Sequence, residues 1–210
     1  MERYETEEQQ VEAIKQFWKD NGIAIIVGAV IGLGGLWGWR YYNQSQMLAQ
    51  EQASDAYEAQ LDTLVSDQAV EKAEIFIAQH GDSGYAVLTS FIAAQQAIQK
   101  NDLDKAISLL NKAVEQSPSQ AISDLALLRL ARVQLAQSKH EEALSTLAKV
   151  KNDAFAVQVN ELKGDAYLAA NNIDAAKLAY AAVLAEDESN LNVKMKADNL
   201  AYVATTGSGE

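Results

Sequence analysis

The sequence predicts an all-α chain: a single N-terminal transmembrane helix, then an α-solenoid of about three helical repeats with flanking helices. Three observations carry that expectation. Residues 23–39 hold no charged side chain. The remainder is dominated by Ala, Leu, Gln, Glu and Lys, all strong helix formers, and the chain holds one proline, Pro118. From residue 83 onward one pattern of small and large apolar residues returns three times.

Residues 6–20 read as a short amphipathic helix. Thr6 with Gln9 makes a capping box, and Val11, Ile14, Phe17 and Trp18 line one face. Asn21-Gly22 is its expected end. The face suits either the membrane interface or a cytosolic partner.

Residues 23–42 are the expected membrane span. Seventeen uncharged residues rise roughly 25 Å, a little short of a ~30 Å hydrocarbon core. The flanks extend it: Arg40 can snorkel, and Trp37, Trp39, Tyr41 and Tyr42 form an aromatic belt. A cleaved signal is disfavoured by the long acidic segment before the span and the bulky residues after it. A phosphate-binding loop is disfavoured because "GLGGLW" lacks both the third glycine of the dinucleotide fingerprint and the lysine of a P-loop. Arg3, Lys15 and Lys19 precede the span, whereas Arg40 stands alone after it until Lys72. That asymmetry favours an N-terminus in the cytoplasm and a C-terminal part outside it, in the periplasm if the cell is Gram-negative. Ala24, Gly28, Gly32 and Gly35 share one helical face, over which another helix can approach closely. The partner helix would be a different protein or a second copy.

Residues 44–66 and 67–81 read as two helices that cap the solenoid. Repeats follow, aligned on Ala106, Ala143 and Ala176, at separations of 37 and 33. These bracket the tetratricopeptide (TPR) period of about 34. A small residue sits twelve positions before each anchor: Ala94, Ala131 and Gly164. A bulky one sits four after: Leu110, Leu147 and Tyr180. Ala113, Val150 and Val183 sit seven after. Small residues at fixed points let paired helices cross closely, and large ones fill the gap. "KNDLDK", "QSKHEE" and "ANNIDA" are the expected turns. A longer loop after Pro118 would account for the spacing of 37. Residues 189–203 read as a polar-faced terminal helix, followed by a flexible tail. The resulting divisions are 1–22, 23–42, 43–82, 83–188 and 189–210.

Composition limits the chemistry. There is no cysteine, hence no disulfide, thiolate metal site or cysteine nucleophile. From residue 44 onward thirteen Lys and Arg face twenty-three Asp and Glu. Such a surface repels nucleic-acid phosphates and anionic lipid headgroups. "HGDSG" (80–84) contains the string found around a trypsin-like nucleophile, but Ser83 lies in a helix–helix turn with only His80 and His140 as possible bases. No His-Glu-x-x-His occurs. No catalytic residue, metal or cofactor is expected.

The remaining functional surface is a groove lined by the first helix of each repeat. Counting from the anchors gives Leu88, Phe91 and Gln95, then Leu125, Leu128 and Arg132, then Gln158, Glu161 and Asp165. The leucines fit inter-repeat core equally well. A clamp for a terminal carboxylate is not expected, since only Arg132 suits it and Glu161 and Asp165 would repel the ligand. A mixed groove suits protein segments with apolar anchors.

The arrangement resembles the YfgM-type ancillary subunits of the bacterial Sec translocon. The likeness rests on Val11-Glu12-Ala13, Lys15, Phe17, Asn21-Gly22, the spaced glycines and Gly38-Trp39-Arg40-Tyr41, and continues through "LRLARVQL" (128–135) and "MKADNL" (195–200). It implies a single-pass inner-membrane protein with a periplasmic TPR-like domain. It also implies association with SecYEG and with the periplasmic chaperone PpiD. Contact with a partner or an unfolded client protein is the expectation for the groove itself. The expected role is non-enzymatic: passing translocated proteins to chaperones. A scaffold for envelope or cell-wall assembly, or a regulator of envelope stress signalling, is the alternative. Oligomeric state is left open.

Overall fold

Small residues at close crossings and capping residues at turns dictate a run of antiparallel helices. The computed structural model describes residues 7–64, 68–81 and 83–206. They form α1 (Glu7–Leu64), α2 (Ala69–His80), α3 (Gly84–Gln99), α4 (Leu103–Glu115), α5 (Gln120–Ala136), α6 (His140–Leu147), α7 (Ala156–Ala169), α8 (Ile173–Glu186) and α9 (Leu191–Thr206). A 3₁₀ turn, Asp153–Phe155, precedes α7. No strand occurs among the described residues. The chain divides into two compact units, residues 1–52 and 53–210.

In the first unit α1 does not stop at Asn21-Gly22 as expected. Asn21 stays inside the helix, its Nδ2 donating to the Phe17 carbonyl at 3.1 Å. The Trp18 ring lies over Gly22, filling the space a side chain would take. No proline follows, and a helix approaching hydrocarbon gains by keeping every backbone group bonded internally. Thr6, the expected cap, lies outside the described residues. α1 contains the one segment among the described residues long and apolar enough to cross a membrane. Val11, Ile14, Phe17 and Trp18 are all exposed, as are Trp37, Trp39, Tyr41 and Tyr42. Trp37 stacks on Tyr41 with ring centroids 6.3 Å apart.

In the second unit consecutive helices pack as pairs: α3 with α4, α5 with α6, α7 with α8. The anchors Ala106, Ala143 and Ala176 are fully buried, with Leu110, Leu147 and Tyr180 beside them. Ala94, Ala131 and Gly164 are buried at the crossings. Tyr57 and Leu64 of α1 pack with Phe76 and Ile77 of α2 in the core that also holds α3 and α4. α9 closes the other end through Val193 and Leu200 against Tyr180 and Val183.

The three turns inside the pairs share one design. Asn101, Ser138 and Asn171 each adopt a left-handed backbone, with φ of 59°, 59° and 60°. The next amide in each case reaches back to close the helix: Asp102 to the Ala97 carbonyl, Lys139 to Gln134, Asn172 to Tyr167. This is a Schellman closure with Asn or Ser in the place glycine usually takes. Asp102 and Asn172 then cap the following helix, accepting from the amides of Lys105 and Ala175.

The spacing of 37 does not come from a loop after Pro118: only residues 116–119 separate α4 from α5. The extra length lies in the helices, since α4 and α5 span 13 and 17 residues where α6 and α7 span 8 and 14. The longer connection is the one between α6 and α7, and Val150 sits in it beyond the end of α6. The terminal helix also runs on to Thr206, through residues expected to begin the tail; the last four residues lie outside the described ones.

Candidate interaction groove

The first helices of the pairs, α3, α5 and α7, leave two open hollows between them. One lies between α3 and α5 and measures about 290 Å³. Phe91, Ala94 and Ile98 of α3, Leu103 and Leu110 of α4, and Val133 of α5 give it an apolar lining. Gln95, Arg129 and Arg132 supply its polar atoms. The second hollow, between α5 and α7, measures about 460 Å³ and holds Arg132, Leu135, Glu161, Leu162 and Asp165. Arg132 belongs to both, so the hollows meet at its side chain.

Of the residues expected to line a groove, Phe91, Gln95 and Arg132 fall in the first hollow, and Arg132, Glu161 and Asp165 in the second. Leu128 does not: it is buried in the core between α5, α6 and α7 with Leu147 and Leu162. Leu125 is half-buried against the first core. Leu88 stands exposed on α3 away from both hollows, and Gln158 is half-buried on α7 and lines neither. Phe91 is itself 8% exposed, so it belongs to the core as much as to the hollow.

Two cations that counting from the anchors overlooked complete the electrostatics. The Arg129 guanidinium lies 4.3 Å from the centroid of the Phe91 ring, a cation–π contact that covers the ring's open face. Burial, then the like charge of Arg132, pull Arg129 below the usual arginine range. Spacing was the available signal: Arg129 and Arg132 are three apart, hence neighbours on one helical face.

The second cation, Lys196, comes from α9. Its Nζ donates to Glu161 Oε1 at 2.9 Å and to Asp165 Oδ1 and Oδ2 at 2.8 and 2.9 Å. Asn192 of α9 adds a bond to Glu161, and the Tyr180 hydroxyl donates to Asp165 at 2.7 Å. Burial alone would lower Lys196, but the bonds and charges of Asp165 and Glu161 outweigh it and hold the ammonium above its ordinary range. Burial, then the hydrogen bond and charge of Asp165, raise the Tyr180 phenol. The two acids are therefore occupied by α9, not turned as free charges toward a ligand.

Ser83 has a different occupation. Its Oγ donates to the His80 carbonyl at 2.7 Å and accepts from the Ala86 amide at 3.3 Å, capping α3. The His80 ring lies against Phe76, with centroids 4.8 Å apart. Asp82, between them in the string, lies outside the described residues. On α1, a Cβ added at Gly28, Gly32 or Gly35 would meet nothing within 4 Å, so that face has no partner inside the described chain.

An array of helix pairs behind a long apolar N-terminal helix, one candidate membrane span, defines an all-helical repeat protein. The family model described as a tetratricopeptide repeat-like domain matches residues 15–202. Relatives include the Escherichia coli (strain K12) protein named "Ancillary SecYEG translocon subunit", 36% identical over 95% of this chain and 99% of its own length. Haemophilus influenzae and Aggregatibacter actinomycetemcomitans proteins of the same name are each 35% identical over 83% of this chain and 86% of theirs. The chain belongs to this TPR-like family of ancillary SecYEG translocon subunits.

Proposed function

We propose that this chain is an inner-membrane subunit ancillary to the SecYEG translocon. Its α1 spans the bilayer with the N-terminus in the cytoplasm, and its repeats work in the periplasm. There the groove receives segments of partner proteins, and the chain helps pass translocated proteins to periplasmic chaperones, PpiD among them. The observation that carries this reading is the extent of the likeness: the Escherichia coli relative matches along 95% of the chain, through the apolar helix and the repeats alike. The charge asymmetry around the span supports the orientation. A tether also raises the effective concentration of the groove beside emerging chains, so weak contacts suffice.

The test is a pull-down of the full chain from membranes in mild detergent, with photo-cross-linkers at Gly28 and Gly32. Adducts with translocon or chaperone helices, lost when residues 23–42 are replaced by an unrelated membrane helix, are the expected result. Co-purification unchanged by that replacement, with no adducts, would sink the role given to α1. Ile98→Glu is the companion variant for the groove, because Ile98 is exposed at the rim and its replacement leaves the core intact. Phe91→Ala is a poor probe, since it would also open a core cavity.

A further inference from the structure

The charges around the two hollows do not balance. Both acids, Glu161 and Asp165, are satisfied within the chain by Lys196. Neither Arg129 nor Arg132 forms an ion pair among the described residues. Two unmatched guanidinium groups stand side by side on α5, above an apolar lining, in a chain of formal charge −12. On a surface so acidic, a pair of free arginines is the place where a negative group gains most. Arg129 is already oriented by the Phe91 ring, so part of the cost of fixing its long side chain is met before anything binds.

We propose that the hollow between α3 and α5 receives an internal acidic–apolar segment of a partner protein, with an Asp or Glu side chain meeting Arg129 and Arg132 and a neighbouring apolar side chain seated on Ile98, Leu103 and Val133. This rests on the reading of the groove as a binding surface and names the chemistry of its occupant. An internal segment fits better than a chain end because the hollow is open and runs on, through Arg132, into the one between α5 and α7. A segment can therefore continue past the arginines. In the second hollow Lys196 offsets one of the two acids, so the part of the segment that lies there is the part without an acid of its own. Guanidinium–carboxylate pairing supplies direction, and the apolar seat supplies contact area.

The experiment uses the full chain in mild detergent and arrays of short peptides blocked at both ends. Each carries Asp or Glu near Leu or Phe, and each has an Asn or Gln twin. Acidic peptides should bind, their twins should bind roughly tenfold more weakly, and the difference should shrink with added salt. Arg129→Gln with Arg132→Gln should abolish the preference for acid, and Ile98→Glu, which supplies an internal carboxylate, should compete with the peptide. Equal binding of acidic peptides and twins would overturn the proposal, as would unchanged preference in the double variant. So would binding confined to peptides with a free C-terminal carboxylate. If no peptide binds yet Ile98→Glu releases co-purifying partners, the acidic-segment inference falls and the groove stands. If Ile98→Glu releases nothing as well, both fall.

Discussion

Gly164 of α7 lies against the ring of Tyr180 of α8 so closely that a methyl group at Gly164 would overlap ring atoms Cδ1 and Cε1. The two preceding pairs place Ala94 and Ala131 at the equivalent crossing, with Leu110 and Leu147 at the position of the tyrosine. The third pair has exchanged volume across the crossing: the larger ring is admitted because its neighbour lost its side chain. Gly164→Ala alone should destabilise the full chain by about 1–3 kcal/mol through overpacking. Adding Tyr180→Leu restores the combination of the earlier pairs and should recover part of that loss, although the hydrogen bond to Asp165 goes with it. Denaturant midpoints in mild detergent decide it. Additive losses in the double variant would show that the two residues are not coupled.

Asp124 is fully buried at the start of α5 and holds the connection between α6 and α7 in place. It accepts from the backbone amides of Lys151 and Asn152 at 3.3 and 2.9 Å, and from Gln120 Nε2 at 2.8 Å. Asp124→Ala leaves two amides without their acceptor and should cost about 2–3 kcal/mol. Hydrogen exchange should accelerate first at Lys151 and Asn152. Unchanged protection there would refute the role given to Asp124.

Ser138 occupies a left-handed position where asparagine stands in the other two turns. Asparagine tolerates that backbone, serine less so, and glycine adopts it freely. Ser138→Gly should therefore stabilise the chain by roughly 0.5–1 kcal/mol, and Asn101→Gly or Asn171→Gly by less. A Ser138→Gly variant that melts earlier than the parent would contradict this account of the turn.

Glu74 of α2 receives Lys105 Nζ of α4 at 2.8 Å, with Lys112 at 3.6 Å. The hydrogen bond from Lys105, opposed by burial and aided by the charges of Lys105 and Lys112, lowers its carboxyl below the ordinary range. A lowered pKa means stability that is present above the unfolded value, about pH 4.3, and lost as pH falls through the folded one. Glu74→Gln should be less stable than the parent at pH 7, by up to roughly 1 kcal/mol for so exposed a pair. The gap should close on acidification below about pH 4.3. A gap that persists undiminished to pH 3 would exclude this linkage.

Much of the helix pairing was legible because it depends on residues that meet at fixed separations. Ala106, Ala143 and Ala176 repeat because each lies at a helix crossing, and the Asn and Ser turns repeat because each closes the helix before it. The groove was legible only in part. Arg129 was within reach, since its spacing from Arg132 places both on one face. Leu128 was ambiguous, because on α5 a shift of one position turns a side chain from the open face into the core. Lys196 was out of reach: it joins Glu161 and Asp165 from 35 and 31 residues away, and no local periodicity relates α9 to α7.

By itself the sequence determined that the chain is helical, where its apolar helix lies and how often its pairs recur, because propensity, hydropathy and repeat spacing are local properties. Only the tertiary structure decided which charges remain unmatched. That outcome depends on α9 folding back so that Lys196 bridges Glu161 and Asp165, while Arg129 and Arg132 gain no ion-pair partner among the described residues, and distances between remote residues are set by packing, not by their order in the chain.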